Sequence, residues 1–422
     1  MSTTSLDRRA AWAVVAGSAL TLAVLGGVLV PWDWVPGGTL HPPAAREVFT
    51  PEQLARSESY AASVRPLSWA SLAVSTGLAL VLGLTRAGAA LVARLPRRWW
   101  VAVPTAVLLL LALGRVATLP FGLLVRQRRL EAGLTEQGLA GWLADRGLGL
   151  LVSWVVMTLL LLLVVGAARR SPRRWFVWAG SGVAVATFAG SLLYPVVVEP
   201  LFNDFTPMAQ GELRSSLLAL ADEEGVEVED VLVADASRRT TTLNAYVSGL
   251  GGTRRIVVYD TLLAAATPGE VRSVVAHEIA HARHQDVLLG TTLAAVGAVL
   301  GTSVLALLLS SARLRRRAGV AGAADPRVVP LVLALVAVGT LASAPVQNAV
   351  SRAVEARADR AALAATDDGA SFAALQKRLA LRSLADPTPP RWSQLWFGSH
   401  PTVLERLGLL ASVEAAQEER SR

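Results

Sequence analysis

The sequence predicts a mainly α-helical, polytopic membrane protein of about seven transmembrane helices, together with a smaller α+β domain. Three observations support this prediction. Of the 422 residues, 53% are hydrophobic, which is high for a water-soluble globular chain. The apolar residues are concentrated in runs, and a bilayer requires about 20 such residues per helix. The only long polar segment lies between the fifth and sixth runs, at 196–286.

Seven apolar runs are candidate membrane spans. The first run lacks a convincing small-residue cleavage site and is long enough to span, so we interpret it as a span and not as a signal peptide. Arginine clusters beside several runs are typical of headgroup contacts and orientation signals. The runs cover residues 11–31, 67–85, 100–119, 148–168, 175–195, 287–311 and 328–348.

The charge and the cysteine content narrow the function further. The net charge is +8, but most of it is arginine in short clusters near the spans, and the chain shows no nucleic-acid-binding module. We therefore predict no nucleic-acid partner. The chain has no cysteine, so disulfides and thiolate metal ligands are excluded, and a zinc site would need histidine and carboxylate ligands.

The segment 277–281 reads His-Glu-Ile-Ala-His. On a helix, His277 and His281 lie one turn apart on one face, so both imidazoles reach one metal ion while Glu278 stands at its open side. The alternative is a helix whose histidines only make hydrogen bonds. Only five histidines occur in the chain and three lie within eight residues, which favours a metal site.

A catalytic zinc ion takes three protein ligands, so a third must be found. His284 is seven residues from His277, about 10 Å along the helix, which is too far to share the ion. Glu355 and Asp359 lie one turn apart on a later segment. We predict that Glu355 binds zinc and that Asp359 accepts a hydrogen bond from a ligand imidazole. A solvated charged helix is the alternative interpretation of this segment.

Several further motifs occur in the same order as in a known family. With both metal segments, they make the chain resemble the type 1 CAAX prenyl proteases, which are multi-span membrane zinc metalloendopeptidases. One departure is Thr242-Leu243, where the family commonly has His-Ser. The motifs are Pro200 to Pro207, Asn244-Ala245-Tyr246, Arg255 to Leu263, Ser399-His400-Pro401 and Glu405-Arg406-Leu407.

The resemblance implies a gluzincin-like α+β zinc peptidase domain with one zinc ion per chain. Glu278 would act as general base, and His400 would donate to the oxyanion. Asn244 would hold the substrate backbone, and Arg406 would position His400 or a substrate carboxylate. The predicted division is a membrane domain of five spans, a first catalytic segment, two further spans and a second catalytic segment, with bounds 1–195, 196–286, 287–348 and 349–422.

The first catalytic segment has its own predicted elements. Residues 208–225 are predicted to form a helix, and 231–233 and 255–259 are predicted strands, with a turn at 249–252. A helix beginning at Pro268 would follow and carry the metal motif. A small sheet beside that helix would bind the substrate backbone as an added strand.

The bias towards arginine over lysine and towards alanine indicates a bacterial source. Together these features predict a zinc metalloendopeptidase integral to a bacterial plasma membrane, with the lipid bilayer and a prenylated or hydrophobic peptide or protein as partners. One alternative is a membrane quality-control protease without prenyl specificity. Another is a non-catalytic chaperone or transporter that keeps the fold. Arginine density favours a cytoplasmic N-terminus and an outward-facing catalytic side, whereas the resemblance implies a cytosolic active site.

Overall fold

The computed structural model describes residues 6–35, 38–249 and 251–421. Its helices are α1 (Arg8–Leu29), α2 (Ala45–Val48), α3 (Pro51–Leu84), α4 (Arg86–Val92), α5 (Trp99–Glu131), α6 (Leu139–Arg170), α7 (Trp175–Leu193), α8 (Glu212–Glu223), α9 (Asp260–Ala265), α10 (Pro268–Arg283), α11 (Asp286–Ser310), α12 (Ala312–Ala318), α13 (Val329–Thr366), α14 (Gly369–Ser383), α15 (Arg391–Phe397) and α16 (Val403–Ser421). The strands are β1 (Phe205–Pro207), β2 (Asp230–Ala234), β3 (Ala245–Ser248) and β4 (Arg255–Tyr259).

Seven helical segments of the described chain are long and apolar enough to cross a membrane, which confirms the predicted number. They contain α1, α3, α5, α6, α7, α11 and α13. Several continue well beyond the predicted apolar runs. Helix α3 begins at Pro51 because Thr50 and Gln53 form a capping box there, and α13 continues to Thr366 through a polar stretch. Membrane helices thus lead directly into two polar segments. The first lies between α7 and α11, and the second runs from the later turns of α13 through α16.

The membrane helices pack mainly on their neighbours around a ring. Helix α13 packs on α3, α3 on α5, α5 on α6, α6 on α7 and α7 on α11, while α11 also contacts α13 and α1 packs on α11. At one end, Val107, Leu161, Phe176, Leu309 and Leu331 belong to one buried apolar cluster. This cluster closes the end of the ring that is remote from the two polar segments.

The four strands form one sheet in the order β1-β2-β4-β3. Strands β2 and β4 are parallel, with Leu232 opposite Val257, and the outer strands pair antiparallel to them. The two predicted strands are confirmed. Strands β1 and β3 were not predicted, because three or four residues are too short to display an alternating pattern.

The core of the first polar segment lies between the sheet and α8 and α10. Leu217 and Leu220 of α8 pack in one cluster with Ile256, Val258 and Ile279. The prediction that α8 begins at 208 was wrong, because the amide of Met208 donates to the carbonyl of Val231 and extends the sheet. This packing holds α10 against the sheet and thereby fixes the position of the helix that carries His277 and His281.

Candidate active site

Helix α10 carries the His-Glu-Ile-Ala-His motif and has a well-defined start. Thr267 and Glu270 form a capping box, with Pro268 at the first position of the helix. The Glu270 side chain is buried and accepts a hydrogen bond from Arg378 of α14 at 2.9 Å. Burial raises the pKa of Glu270, but Arg378 and Thr267 together lower it below its ordinary value. The motif helix is thereby tied to the second polar segment.

The two histidines of α10 meet Glu355 of α13. The Nε2 atoms of His277 and His281 are 3.1 Å apart. One Glu355 oxygen lies 3.3 Å from Nε2 of His277, and the other lies 3.6 Å from Nε2 of His281. One donor atom from each of the three residues lies within 4.8 Å of the other two, so together they are able to hold a metal ion.

The donor set suits a tetrahedral metal ion. With bonds of about 2.0–2.1 Å, tetrahedral donors stand about 3.3 Å from one another. The two Nε2 atoms are 3.1 Å apart, close to that value, and each has one oxygen of the Glu355 carboxylate at 3.3 or 3.6 Å. Two imidazole nitrogens and one carboxylate also leave a fourth position for a water molecule or substrate.

Each imidazole has a carboxylate at its other nitrogen. The Nδ1 atom of His277 lies 2.9 Å from Asp359, although the oxygen is off the N–H direction and a small ring rotation is needed for a good hydrogen bond. The Nδ1 atom of His281 lies 2.8 Å from Asp286. Such partners favour the tautomer that leaves Nε2 free for a metal.

Asp286 is a residue that sequence reasoning missed. It follows the end of α10, where Gln285 adopts a left-handed conformation with φ of 56° and turns the chain into α11. Arg357 of α13 donates to the other oxygen of Asp286. An acidic residue close behind the motif could have suggested a partner for His281. The left-handed turn that brings it there was not predictable, because glycine and not glutamine is the usual residue in that conformation.

Arg406 of α16 lies behind Glu355 and Asp359. Its guanidinium donates to Glu355 at 2.9 Å and to Asp359 at 3.0 Å, and the Asp359 side chain is fully buried. Both contacts are with the protein, so a role of Arg406 towards the substrate stays a prediction. Arg406 instead holds the two carboxylates in position.

The electrostatic surroundings of His277 favour a positive charge on its imidazole. Burial lowers the pKa of His277, but Asp359 and Glu355 outweigh it and raise this pKa to about 10. A surrounding that stabilises an imidazolium also stabilises a bound metal cation at the same place.

Glu278 lies beside the donor atoms on α10 and is half-buried. Its carboxylate makes no hydrogen bond or ion pair with another residue that the structure describes. Burial raises the pKa of Glu278 above its ordinary value. A free carboxylate with a raised pKa is suited to accept a proton near neutral pH.

His400 lies at the open side of this cluster, on the loop between α15 and α16. Its Nε2 is 3.4 Å from Glu355, and its side chain is 60% exposed, so a substrate is able to reach it. Gln394 donates to the His400 carbonyl at 2.7 Å, and Arg352 of α13 donates to the Gly398 carbonyl at 2.6 Å. These two bonds fix the loop.

Asn244 is exposed and lies outside the metal cluster, immediately before β3. With Arg129, Arg239, Thr242 and Tyr259 it lines an open cavity of about 460 Å³ beside the sheet. The cavity is a place where a peptide backbone is able to contact Asn244. Its role in substrate binding stays a prediction.

Comparisons with known proteins agree with this geometry. Residues 207–414 match the model of peptidase family M48, and residues 38–204 match the model described as CAAX prenyl protease N-terminal, five membrane helices. The chain is 30% identical to the uncharacterized metalloprotease YhfN of Bacillus subtilis over 72% of each chain.

Two yeast proteins are also similar. The chain is 33% identical to CAAX prenyl protease 1 of Saccharomyces cerevisiae, over 33% of this chain and 31% of that protein. The crystal structure of S. mikatae Ste24p superposes with a TM-score of 0.75 at 22% identity, covering 94% of this chain and 98% of that one. The latter likeness shows the fold.

Proposed function

Because the chain belongs to peptidase family M48 and is a membrane-embedded metalloendopeptidase, we propose that His277, His281 and Glu355 hold one zinc ion per chain and that Glu278 is the general base. The observation that carries this proposal is the convergence of three donor atoms from two helices, with a carboxylate behind each imidazole. A buried histidine pair without a metal role would not need that arrangement.

When bound, zinc supplies a Lewis acid that makes a water molecule acidic and withdraws electrons from the scissile carbonyl. Glu278 takes the proton of the attacking water and delivers it to the leaving amine, which breaks the peptide bond. His400 donates a hydrogen bond from Nε2 to the oxyanion that develops on the carbonyl oxygen. Asn244 holds the substrate backbone beside the sheet.

Asp359 and Arg406 have a positioning role in this proposal. Asp359 fixes the tautomer of His277, and Arg406 compensates the charge of two buried carboxylates. Without Arg406, Glu355 and Asp359 would be left as close buried anions, which is unfavourable. Asp286 and Arg357 form the corresponding pair behind His281.

The proposed substrate is a hydrophobic peptide or protein segment, without a requirement for a prenyl group. Thr242-Leu243 stands where CAAX prenyl proteases commonly have His-Ser, which removes one possible substrate contact. Cleavage of one peptide with and without a farnesyl group distinguishes the two specificities. A strong preference for the farnesylated form would contradict this part of the proposal.

Replacement of Glu278 tests the reaction itself. Glu278→Gln keeps the side-chain shape but removes the base, so cleavage of a fluorogenic peptide should fall by about a hundredfold or more while zinc stays bound. Glu223→Gln makes the same change at an exposed position of α8 and should leave cleavage unchanged. Near-normal cleavage by Glu278→Gln would exclude Glu278 as the base.

A further inference from the structure

Arg115 lies in the middle of a membrane helix. Its side chain is exposed in the structure, and 11 residues, about 16 Å, separate it from Arg126 along α5. A charged side chain that faces lipid within the bilayer is strongly unfavourable, so charged residues of membrane helices almost always face the interior of the bundle.

The periodicity of α5 places Arg115 on a defined face. Gly122 and Arg129 follow it at intervals of seven residues, close to two helical turns, so all three lie on one face of α5. Gly122 faces Trp142 and Arg146 of α6. Arg129 lines the cavity that contains Asn244. This face of α5 therefore points towards the side where the first catalytic segment lies.

Arg146 adds a second cation near the same face. Its guanidinium stacks on Trp142 at 4.7 Å from the ring centroid, and it lies close enough to Arg115 and Arg129 to repel both. We call Arg115 and Arg129 of α5, together with Arg146 of α6, the arginine stripe. The three guanidinium groups thus contribute to one region of positive electrostatic potential.

The described residues provide no carboxylate partner for the arginine stripe. Asp145, next to Arg146, accepts a hydrogen bond from Gln137 at 2.7 Å. The Nε atom of Arg129 is buried without a hydrogen-bond partner among the residues described. Three neighbouring cations without a carboxylate partner make a site for an anionic ligand.

We propose that the arginine stripe binds carboxylates in the part of the peptide substrate that flanks the cleavage sequence, so that among hydrophobic substrates the enzyme prefers those with an acidic flank. The inference rests on the proposed peptidase function. From Arg115 to Arg129 the stripe runs about 21 Å along α5, the length of roughly six extended residues, and it ends at the Asn244 cavity. This length suits a peptide chain better than the phosphate of a single lipid headgroup.

Two fluorogenic peptides test the proposal on the full chain in neutral detergent. They share one cleavage sequence and carry an eight-residue tail with either two glutamates or two glutamines. One series of peptides has the tail on the N-terminal side of the cleavage sequence, and a parallel series has it on the C-terminal side. The wild type should cleave the acidic peptide with about tenfold higher kcat/KM, mainly through KM. Arg115→Gln and Arg146→Gln should remove the preference and keep cleavage of the neutral peptide.

Arg128→Gln is the matched control. Arg128 is one residue off the stripe, half-exposed and paired with Glu131 at 2.8 Å, so this variant should keep the preference. If Arg115→Gln loses neutral-peptide cleavage as well, Arg115→Lys decides: restored cleavage together with the acidic preference supports the proposal, and any other result overturns it.

Results with the wild-type enzyme and with added lipid also test the proposal. Equal cleavage of both peptides by the wild type overturns the inference while leaving the proposed peptidase function intact. Failure to cleave either peptide, when zinc is bound, counts against the peptidase function itself. If phosphatidylglycerol alters neutral-peptide cleavage through Arg115 and the acidic peptide has no advantage, the stripe binds lipid phosphate and the proposal is wrong.

Discussion

The metal cluster and the interior of the helix ring differ in how their charged side chains are paired. In the cluster, Asp359 is fully buried and Glu355 nearly so, yet each has cationic or imidazole partners within 3.4 Å. In the ring, Arg115 is exposed, and no described carboxylate pairs with it. The carboxylates of the cluster have partners within the protein, whereas the arginines of the ring are available to pair with a ligand.

This difference separates two tasks. Chemistry needs groups that are held in place before the substrate arrives, which the cluster provides through paired carboxylates and a packed sheet. Selection of a substrate needs groups that become satisfied only when it binds. Helix α13 joins the two regions, since its first turns belong to the closed end of the ring and its later turns carry Glu355 and Asp359.

The contrast between the two regions would be wrong if loss of a proposed catalytic side chain of the cluster left kcat unchanged. His400→Ala should lower kcat by about a hundredfold, because the developing oxyanion loses a donor, while zinc content and thermal unfolding stay unchanged. His284→Ala removes an exposed histidine outside the ligand set and should have little effect on kcat. A His400→Ala protein that melts early would instead indicate a structural histidine.

Two glycines of α3 sharpen the comparison within the membrane. A Cβ atom at Gly83 would stand 2.4 Å from Cβ of Ala334 at the closed end of the ring, whereas one at Gly77 would meet no atom within 4 Å. Gly83→Ala should lower the free energy of unfolding by about 1–3 kcal/mol, because α3 and α13 must separate. Thermal unfolding in detergent measures it.

Gly77→Ala is the control for that measurement, since it makes the same change on the same helix where space is open. It should leave the midpoint of unfolding nearly unchanged. Equal destabilisation by both substitutions would mean that helix flexibility, and not the close approach of α3 and α13, governs stability.

The sequence predicted what depends on local patterns. The apolar runs identified seven spans, and the four-residue spacing of His277 and His281 placed both imidazoles on one face. Glu355 was predicted because a third ligand was needed and because Asp359, one turn after it, could accept a hydrogen bond from a ligand imidazole. The structure brings these residues together, while their roles in catalysis remain predictions.

Contacts between distant segments could not be predicted in the same way. Arg406 lies 51 residues from Glu355, and no periodicity indicates that it donates to that carboxylate. Asp286 reaches His281 only through the turn at Gln285. Strands β1 and β3 exist because β2 and β4 offer them edges, which is a property of the sheet and not of their own few residues.

Zinc content is the most direct test of the central claim that His277, His281 and Glu355 form the metal site. Purified wild-type protein and Glu278→Gln should each contain about one zinc ion per chain, whereas Glu355→Ala should lose most of it, because two imidazoles alone bind zinc weakly. Both variants remove one glutamate charge beside the cluster, but only Glu355 belongs to the assigned ligand set. Full zinc occupancy in Glu355→Ala would contradict the assignment.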